Sequence, residues 1–509
     1  MDDKLTKLYR TLGYKGPLPD VQPIGGESNA SVIPAPAAQP RAAERPRAPR
    51  GVIAEDPAEM PPLSPEGLEE LEDRLNRAPN ETVARFREIW DKRVTEDYLR
   101  EVIDRARRAV RSPETAIAAL ETARAHAAVA STLPPDFTFD GMDIAEIPID
   151  PGDTKFETVA DALGWIFGAG PFALTQPDKD DFRRHSTSAS GFIYDLEEPT
   201  PGSPMEVALF SDFGTGRYHS RYIAKQFRTR GFPYAIHVGD VYYAGRRSEF
   251  EEYFIEPLAP ILAGTGVFAL NSNHEMYSGG IPYFEYIDQR AQSHPDTQKQ
   301  QGSYFCLRNS KFQIVGIDTA FFEHGRYKEP ELLEWLSTVL KDGKDAGCVN
   351  ILLSADQPYE YGDLKLTKLL RKDLAEIVLN NQTPLVDLWF WGNTHYCALF
   401  DRGVANPNRP ALPFTGSCIG HGGYPYDRER TGKNMPAPLV FLETRARFPE
   451  GTGLRQDRGN NGYCILTLKA DGSLELRYID WMGNMRCEVI FSRGTAADPA
   501  KIIAVNPGA

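Results

Sequence analysis

The stretch GVFALNSNHE, residues 266–275, decides how the chain is read. Val267, Phe268, Ala269 and Leu270 make a short apolar run, and the chain then passes directly into Asn273, His274 and Glu275. An apolar run of that length bounded by polar residues reads as a buried strand. Its exit places an amide, an imidazole and a carboxylate side by side, which suits metal binding and acid–base work. A polar loop that merely contains a histidine would look the same in isolation. The other strand ends have to decide.

Five more apolar runs end the same way: EVALFSD (206–212), YAIHVGD (234–240), FQIVGID (312–318), VNILLSAD (349–356) and VDLWFWGN (386–393). Between them lie helical patterns at 217–230, stopped by Gly231, at 248–262 with Phe250, Phe254 and Leu258 in register, at 330–341 and at 363–379. Strand–helix alternation predicts an α/β fold with helices covering the sheets. In such folds ligands gather beyond the carboxyl ends of the strands. Those ends carry Asp212, Asp240, Asn273-His274-Glu275, Asp356 and Asn393-Thr394-His395. One aspartate after a strand means little, because turns favour aspartate. Five strand ends bearing oxygen and imidazole donors predict a metal centre for Fe, Mn, Zn or Mg.

The motif order resembles the calcineurin-like metallophosphoesterases, and within them the purple acid phosphatase branch. The stretches that carry the resemblance are D-F-G at 212–214, G-D-V-Y-Y at 239–243, S-N-H-E at 272–275, S-A-D-Q-P at 354–358, G-N-T-H at 392–395 and the glycine-rich TGSCIGHGGYPYD at 415–427. It covers roughly residues 200–490. The resemblance implies an α/β/β/α sandwich, two mixed sheets flanked by helices, preceded here by a small helical module. It implies a first metal position built from Asp212, Tyr243 and His395, with Asp240 bridging to a second. Asn273 would belong to that second position, where Asn393 and either Ala355 or Asp356 replace the family's two histidines. If Asp356 points inward, the second position becomes all oxygen and shifts towards Mg or Mn; if Ala355 does, it has lost two donors. One or two divalent or mixed-valence metal ions per chain follow.

The implied reaction is hydrolysis of a phosphate ester by attack of a metal-bound hydroxide. His274 would assist the leaving group, with Glu275 orienting it. The substrate would be a phosphorylated small molecule or other phosphate ester. The altered second position keeps a rival reading in play, a catalytically impaired relative acting as a binding or regulatory module. Among the remaining histidines, His237 reads as a packed core residue and His219 as an exposed helix position. Trp389 and Trp391 read as core.

Composition sets the frame. The 509 residues are 41% hydrophobic and 25% charged, with a formal net charge of −14. That balance suits a soluble globular protein and does not favour nucleic acid as a partner. Six dispersed cysteines without C-x-x-C spacing argue against a disulfide framework and a structural zinc module. The start, MDDKLTKLYR, lacks the apolar core of a signal peptide, and no run reaches the ~18–20 apolar residues of a membrane span. A cytoplasmic location is expected. The expected organisation is a short, partly helical arm at 1–23 and a Pro/Ala-rich disordered linker at 24–62. A helical module at 63–135, a connecting segment at 136–199, the metallophosphoesterase-type domain at 200–495 and a tail at 496–509 complete it. The arm is a candidate contact for a protein partner.

Overall fold

The computed structural model describes residues 191–508 apart from short stretches, the longest being 404–410, 429–438 and 448–456. The expected arm, linker and helical module, and the connecting segment up to residue 190, lie outside the described residues.

Two sheets form the framework. The first contains β1 (Ile193–Asp195), β5 (Phe305–Arg308), β6 (Phe312–Ile317), β9 (Val349–Ser354), β10 (Leu388–Trp391), β11 (Cys397–Phe400), β12 (Thr415–Ile419) and β13 (Leu439–Leu442), in spatial order β1-β5-β6-β9-β10-β12-β11-β13. The second contains β2 (Met205–Phe210), β3 (Tyr234–His237), β4 (Gly266–Ala269), β14 (Gly462–Leu468), β15 (Leu474–Asp480), β16 (Met485–Phe491) and β17 (Ile502–Pro507), in spatial order β17-β16-β15-β14-β2-β3-β4. A separate two-stranded ribbon pairs β7 (Phe322–Glu323) with β8 (Arg326–Tyr327).

Both sheets are mixed. In the second, β2, β3 and β4 run parallel while β14 to β17 are antiparallel. In the first, β6, β9, β10 and β12 run parallel. The parallel strands are covered on both faces, which is why they appear in sequence as unbroken apolar runs. Their two faces still divide by alternation. Val207 and Leu209 face the space between the sheets, packing with Ile314, Ile351, Leu388 and Phe390 of the first sheet. Ala208 and Phe210 face outward, against a helical layer.

Helices complete the four layers. Helix α1 (Tyr218–Arg230) buries Ile223 and Phe227 on the outer face of the second sheet and ends at left-handed Gly231. The pattern at 248–262 forms a composite helix, with a π-helical segment at Phe250–Ile255, and keeps Phe250, Phe254 and Leu258 on one buried face. Helix α2 (Pro330–Asp345) covers the first sheet through Leu332, Trp335, Leu336, Val339 and Leu340. Spacings of three and four residues put those side chains on one stripe. Removing a side chain the size of Trp335 would cost roughly 3–5 kcal/mol. Within the expected helix at 363–379 the described residues form two π-helical turns, Leu369–Asp373 and Ala375–Leu379.

The expected α/β/β/α layering is therefore present, with Trp389 and Trp391 in the core as read. Residues 496–509, which the sequence offers only as a tail, contain β17, paired with β16. Among the described residues, no helix is long and apolar enough to cross a membrane.

Candidate metal centre

The carboxyl ends of the parallel strands from both sheets meet at one edge. Asp212 follows β2, Asp240 follows β3 and Asn273 follows β4; Asp356 follows β9, and Asn393 and His395 follow β10. Left-handed backbone marks four of these points. Among the described non-glycine residues, positive φ occurs at Phe192 and at Asp212 (57°), Asp240 (73°), Asn393 (59°) and His395 (51°). Side chains other than glycine rarely adopt this region, and residues held there cluster at functional sites.

Asp212, Asp240 and His395 bring their donor atoms within 4.8 Å of one another, the single group of three carboxylate, imidazole or thiol donors found among the described residues. His395 Nε2 lies 3.2 Å from Asp212 Oδ1. The phenol oxygen of Tyr242 sits among them, 2.5 Å from Asp212 Oδ1, 2.9 Å from Asp240 Oδ2 and 2.9 Å from His395 Nε2. The phenol and the imidazole supply one hydrogen each and a proton on Asp240 would add a third, still fewer than the four close oxygen and nitrogen pairs. Electron-rich atoms facing one another with hydrogens missing are what a cation would hold together. The donor set, two carboxylates with imidazole and phenol, fits Fe, Mn or Zn.

The supporting contacts fix Asp212. Its Oδ2 accepts hydrogen bonds from Ser211 Oγ and from the Asn393 N–H, both at 2.9 Å, leaving Oδ1 for the centre. Burial acts to raise its pKa, but hydrogen bonding and charge from His395, with further bonds from Tyr242 and Ser211, hold the carboxyl well below the usual carboxylate range. Asp240 goes the other way. Burial, then the negative charges of Asp212 and Glu275, push it well above that range.

Two glycines are set by close approach. A Cβ on Gly214 would fall 2.8 Å from Val241 Cα, so the position after D-F admits no side chain. A Cβ on Gly392 would strike Ser211 Oγ and lie 2.8 Å from Asp212 Oδ2. The loop after β12 closes over the first motif. Gly422 and Tyr424 donate backbone N–H groups to the carbonyls of Ser211 (2.9 Å) and Asp212 (2.8 Å). Tyr424 stacks on His395 with ring centroids 4.1 Å apart and lies 4.6 Å from the Tyr242 ring.

The sequence-derived residues fare unevenly. Asp212, Asp240 and His395 come together. Tyr243, the expected phenolate, instead accepts a hydrogen bond at its hydroxyl from Arg217 Nη2 at 3.2 Å, and the phenol brought to the three side chains is that of Tyr242. The reason is local: Val241–Gly245 is a turn, closed by Gly245 N–H to the Val241 carbonyl at 3.1 Å, so two-residue alternation does not hold there.

His274 is buried beside Tyr242, with ring centroids 4.2 Å apart, and its Nδ1 donates to the Tyr243 carbonyl at 2.8 Å. Glu275, expected to orient His274, accepts from the backbone N–H groups of Val241 (3.0 Å) and Asp240 (3.3 Å) and so anchors the Asp240 loop. The Ser272 hydroxyl, with one hydrogen to give, donates to Asp240 Oδ1 and also lies 3.0 Å from Asn273 Oδ1. Asn393 Nδ2 donates to Asp356 Oδ1 at 2.9 Å. Both rival residues after β9 point towards the site region: Ala355 packs its methyl near Gly239, and Asp356 reaches Asn393.

His237 is a core residue as read, between Phe210 and Phe254. His219, expected to be exposed, is fully buried, its Nε2 on the Gly423 carbonyl, because the glycine-rich loop covers that helix start. Sequence reasoning set Tyr242 aside, as pointing elsewhere if the stretch were extended, and passed over Tyr424. Only the aromatic content of the two loops pointed to them.

No family model and no curated protein matches the chain. Among solved structures, a purple acid phosphatase from yellow lupin (Lupinus luteus) seeds is 16% identical, with TM-score 0.39, over 56% of this chain and 53% of that one. The chain thus spans about half the length of the lupin protein. GAP50, described as the anchor in the inner membrane complex of Plasmodium, is 12% identical with TM-score 0.39, over 60% of this chain and 88% of that one. A dimetal phosphatase from Danio rerio is 11% identical with TM-score 0.34, over 54% and 95%.

Proposed function

We propose that this chain is a metal-dependent hydrolase of phosphate esters, with Asp212, Asp240 and His395 holding the metal. The observation that carries the reading is the convergence of those three side chains and a phenol with too few hydrogens between them. A bound cation would supply Lewis acidity to the phosphoryl oxygens and a nucleophile at neutral pH. Without positive charge at that edge, Asp212, Asp240 and Asp356 would repel an anionic ester.

The chain's own residues then do the rest. Ser211 and the Asn393 N–H hold Asp212 with one oxygen turned to the centre. Glu275 fixes the backbone that presents Asp240. Burial lowers the His274 pKa to about 3, so the ring is neutral at physiological pH. Its Nδ1–H is committed to the Tyr243 carbonyl, which leaves the lone pair on Nε2. His274 therefore takes a proton before it can give one, as a base toward the attacking water and then an acid toward the leaving oxygen. Substrate would approach over Asn273, Thr394 and His395, the half-buried residues of the rim.

The test is metal analysis of the purified protein, paired with turnover of a generic aryl phosphate before and after chelation. Turnover that disappears with the metal and returns with Mn, Fe, Zn or Mg is expected, with both metal and turnover lost in Asp212→Asn. Retained metal with no turnover on any ester would favour the binding-module reading instead.

A further inference from the structure

The residues that sequence offered for a second cation are engaged with one another. Asn393 turns its Nδ2 hydrogens to Asp356 at 2.9 Å, so the amide presents donors where a cation needs lone pairs. The Asp356 carboxylate is met by those hydrogens. The Ser272 hydroxyl lies between Asp240 Oδ1 and Asn273 Oδ1, occupying the outer oxygen through which Asp240 would bridge to a neighbouring ion. On the other side of Asp240 the situation is reversed. Oδ2 faces the Tyr242 phenol, whose oxygen stands 2.5 to 2.9 Å from Asp212, Asp240 and His395, and His395 Nε2 lies 3.2 Å from Asp212 Oδ1. Donors about 2.0–2.1 Å from a shared ion stand about 2.9 Å apart at octahedral edges. Those four separations have the spacing of neighbouring donors in a coordination shell.

We infer that the centre takes one cation, with the phenol of Tyr242 as its fourth donor, and that the adjoining position is closed by the Asn393–Asp356 and Ser272 hydrogen bonds. This rests on the metal-dependent reading above. Binding the cation displaces the phenol proton to solvent, and the phenolate adds a third negative donor to the two carboxylates. Tyr243 is left to its contact with Arg217.

The full-length protein, stripped and reloaded with Mn(II), Zn(II) or Fe(III) and freed of excess ion, is analysed for bound metal. One equivalent is expected. Two equivalents would overturn the closed position. Asn393→Asp replaces the donating amide with a carboxylate, and a second equivalent is then expected; one equivalent in that variant would show that the amide is not what closes the position. The Fe(III) form should carry a visible phenolate absorption band, kept in Tyr243→Phe and lost in Tyr242→Phe. Tyr242→Phe should also bind Zn(II) at least about tenfold more weakly. No band in iron-loaded wild type, or a band lost in Tyr243→Phe and kept in Tyr242→Phe, would overturn the assignment. Wild-type protein that binds no cation at all would fail the functional reading itself, which separates the two failures.

Discussion

Replacing His237 with leucine isolates one buried imidazole whose contribution to stability can be worked out in advance. The ring lies at the end of β3, with centroids 5.1 Å from Phe210 and 4.8 Å from Phe254, and its buried Nε2 has no hydrogen-bond partner among the described residues. Burial pushes its pKa from 6.5 down to about 3, against a smaller opposing pull from Asp212. Between those values the unfolded chain binds a proton that the folded chain refuses. Stability is therefore intact above pH 6.5 and falls as the pH drops toward 3. Each pH unit within that window is worth about 1.4 kcal/mol, so going from pH 7 to pH 5 costs about 2 kcal/mol through this one group. Leucine is close in volume and has nothing to protonate. Denaturant unfolding of both proteins at pH 7 and pH 5, in chelator, reads the difference. His237→Leu should lose about 2 kcal/mol less than wild type over that interval. Equal losses would refute the reasoning, since His237 could not then be a neutral buried imidazole.

Gly392→Ala places a methyl against Ser211 Oγ and 2.8 Å from Asp212 Oδ2; the expected result is at least about a tenfold loss of metal affinity, by calorimetric titration, with the far-UV spectrum unchanged. Lys344→Met leaves Asp387 as an unpaired charge in the core, where it otherwise pairs with Lys344 and accepts the Asn350 N–H at 2.8 Å. Breaking such a pair costs roughly 3–5 kcal/mol, read by denaturant unfolding, and a loss below 1 kcal/mol would contradict it. Saturating metal should stabilise the folded chain by about 4 kcal/mol at a thousand times Kd, and Asp212→Asn should abolish that thermal shift.

What could be read from sequence followed from burial. Parallel strands covered on both faces must be apolar throughout, so β2, β3, β4, β9 and β10 announce themselves, and the first polar residue after each marks the sheet edge. The resemblance then ordered those ends into one centre. What could not be read depended on contacts between distant segments. Tyr242 displaces Tyr243 because Val241–Gly245 turns, and that turn is shaped by Gly214, whose carbonyl accepts the Tyr242 N–H at 2.8 Å. His219 is buried by a loop 204 residues further along the chain. The direction of the Asn393 amide depends on Asp356, a residue of a neighbouring strand end.

The left-handed residues explain why so much side-chain hydrogen bonding surrounds this edge. Holding a residue other than glycine at positive φ costs about 1 kcal/mol or more, and four such residues stand together here. None would persist without contacts that over-determine it. Asp212 is held on Oδ2 by Ser211 and by the Asn393 N–H, so one left-handed residue steadies another. Asp240 is held through its own N–H and that of Val241 by Glu275. Gly422 and Tyr424 clamp the peptide carbonyls on either side of Asp212. The fold thus spends local stability on turning carboxylates and an imidazole toward one point, where two buried negative charges would repel if left alone. A folded chain tolerates that arrangement when it gains something at the point of convergence, and the donors there suit the cation proposed above.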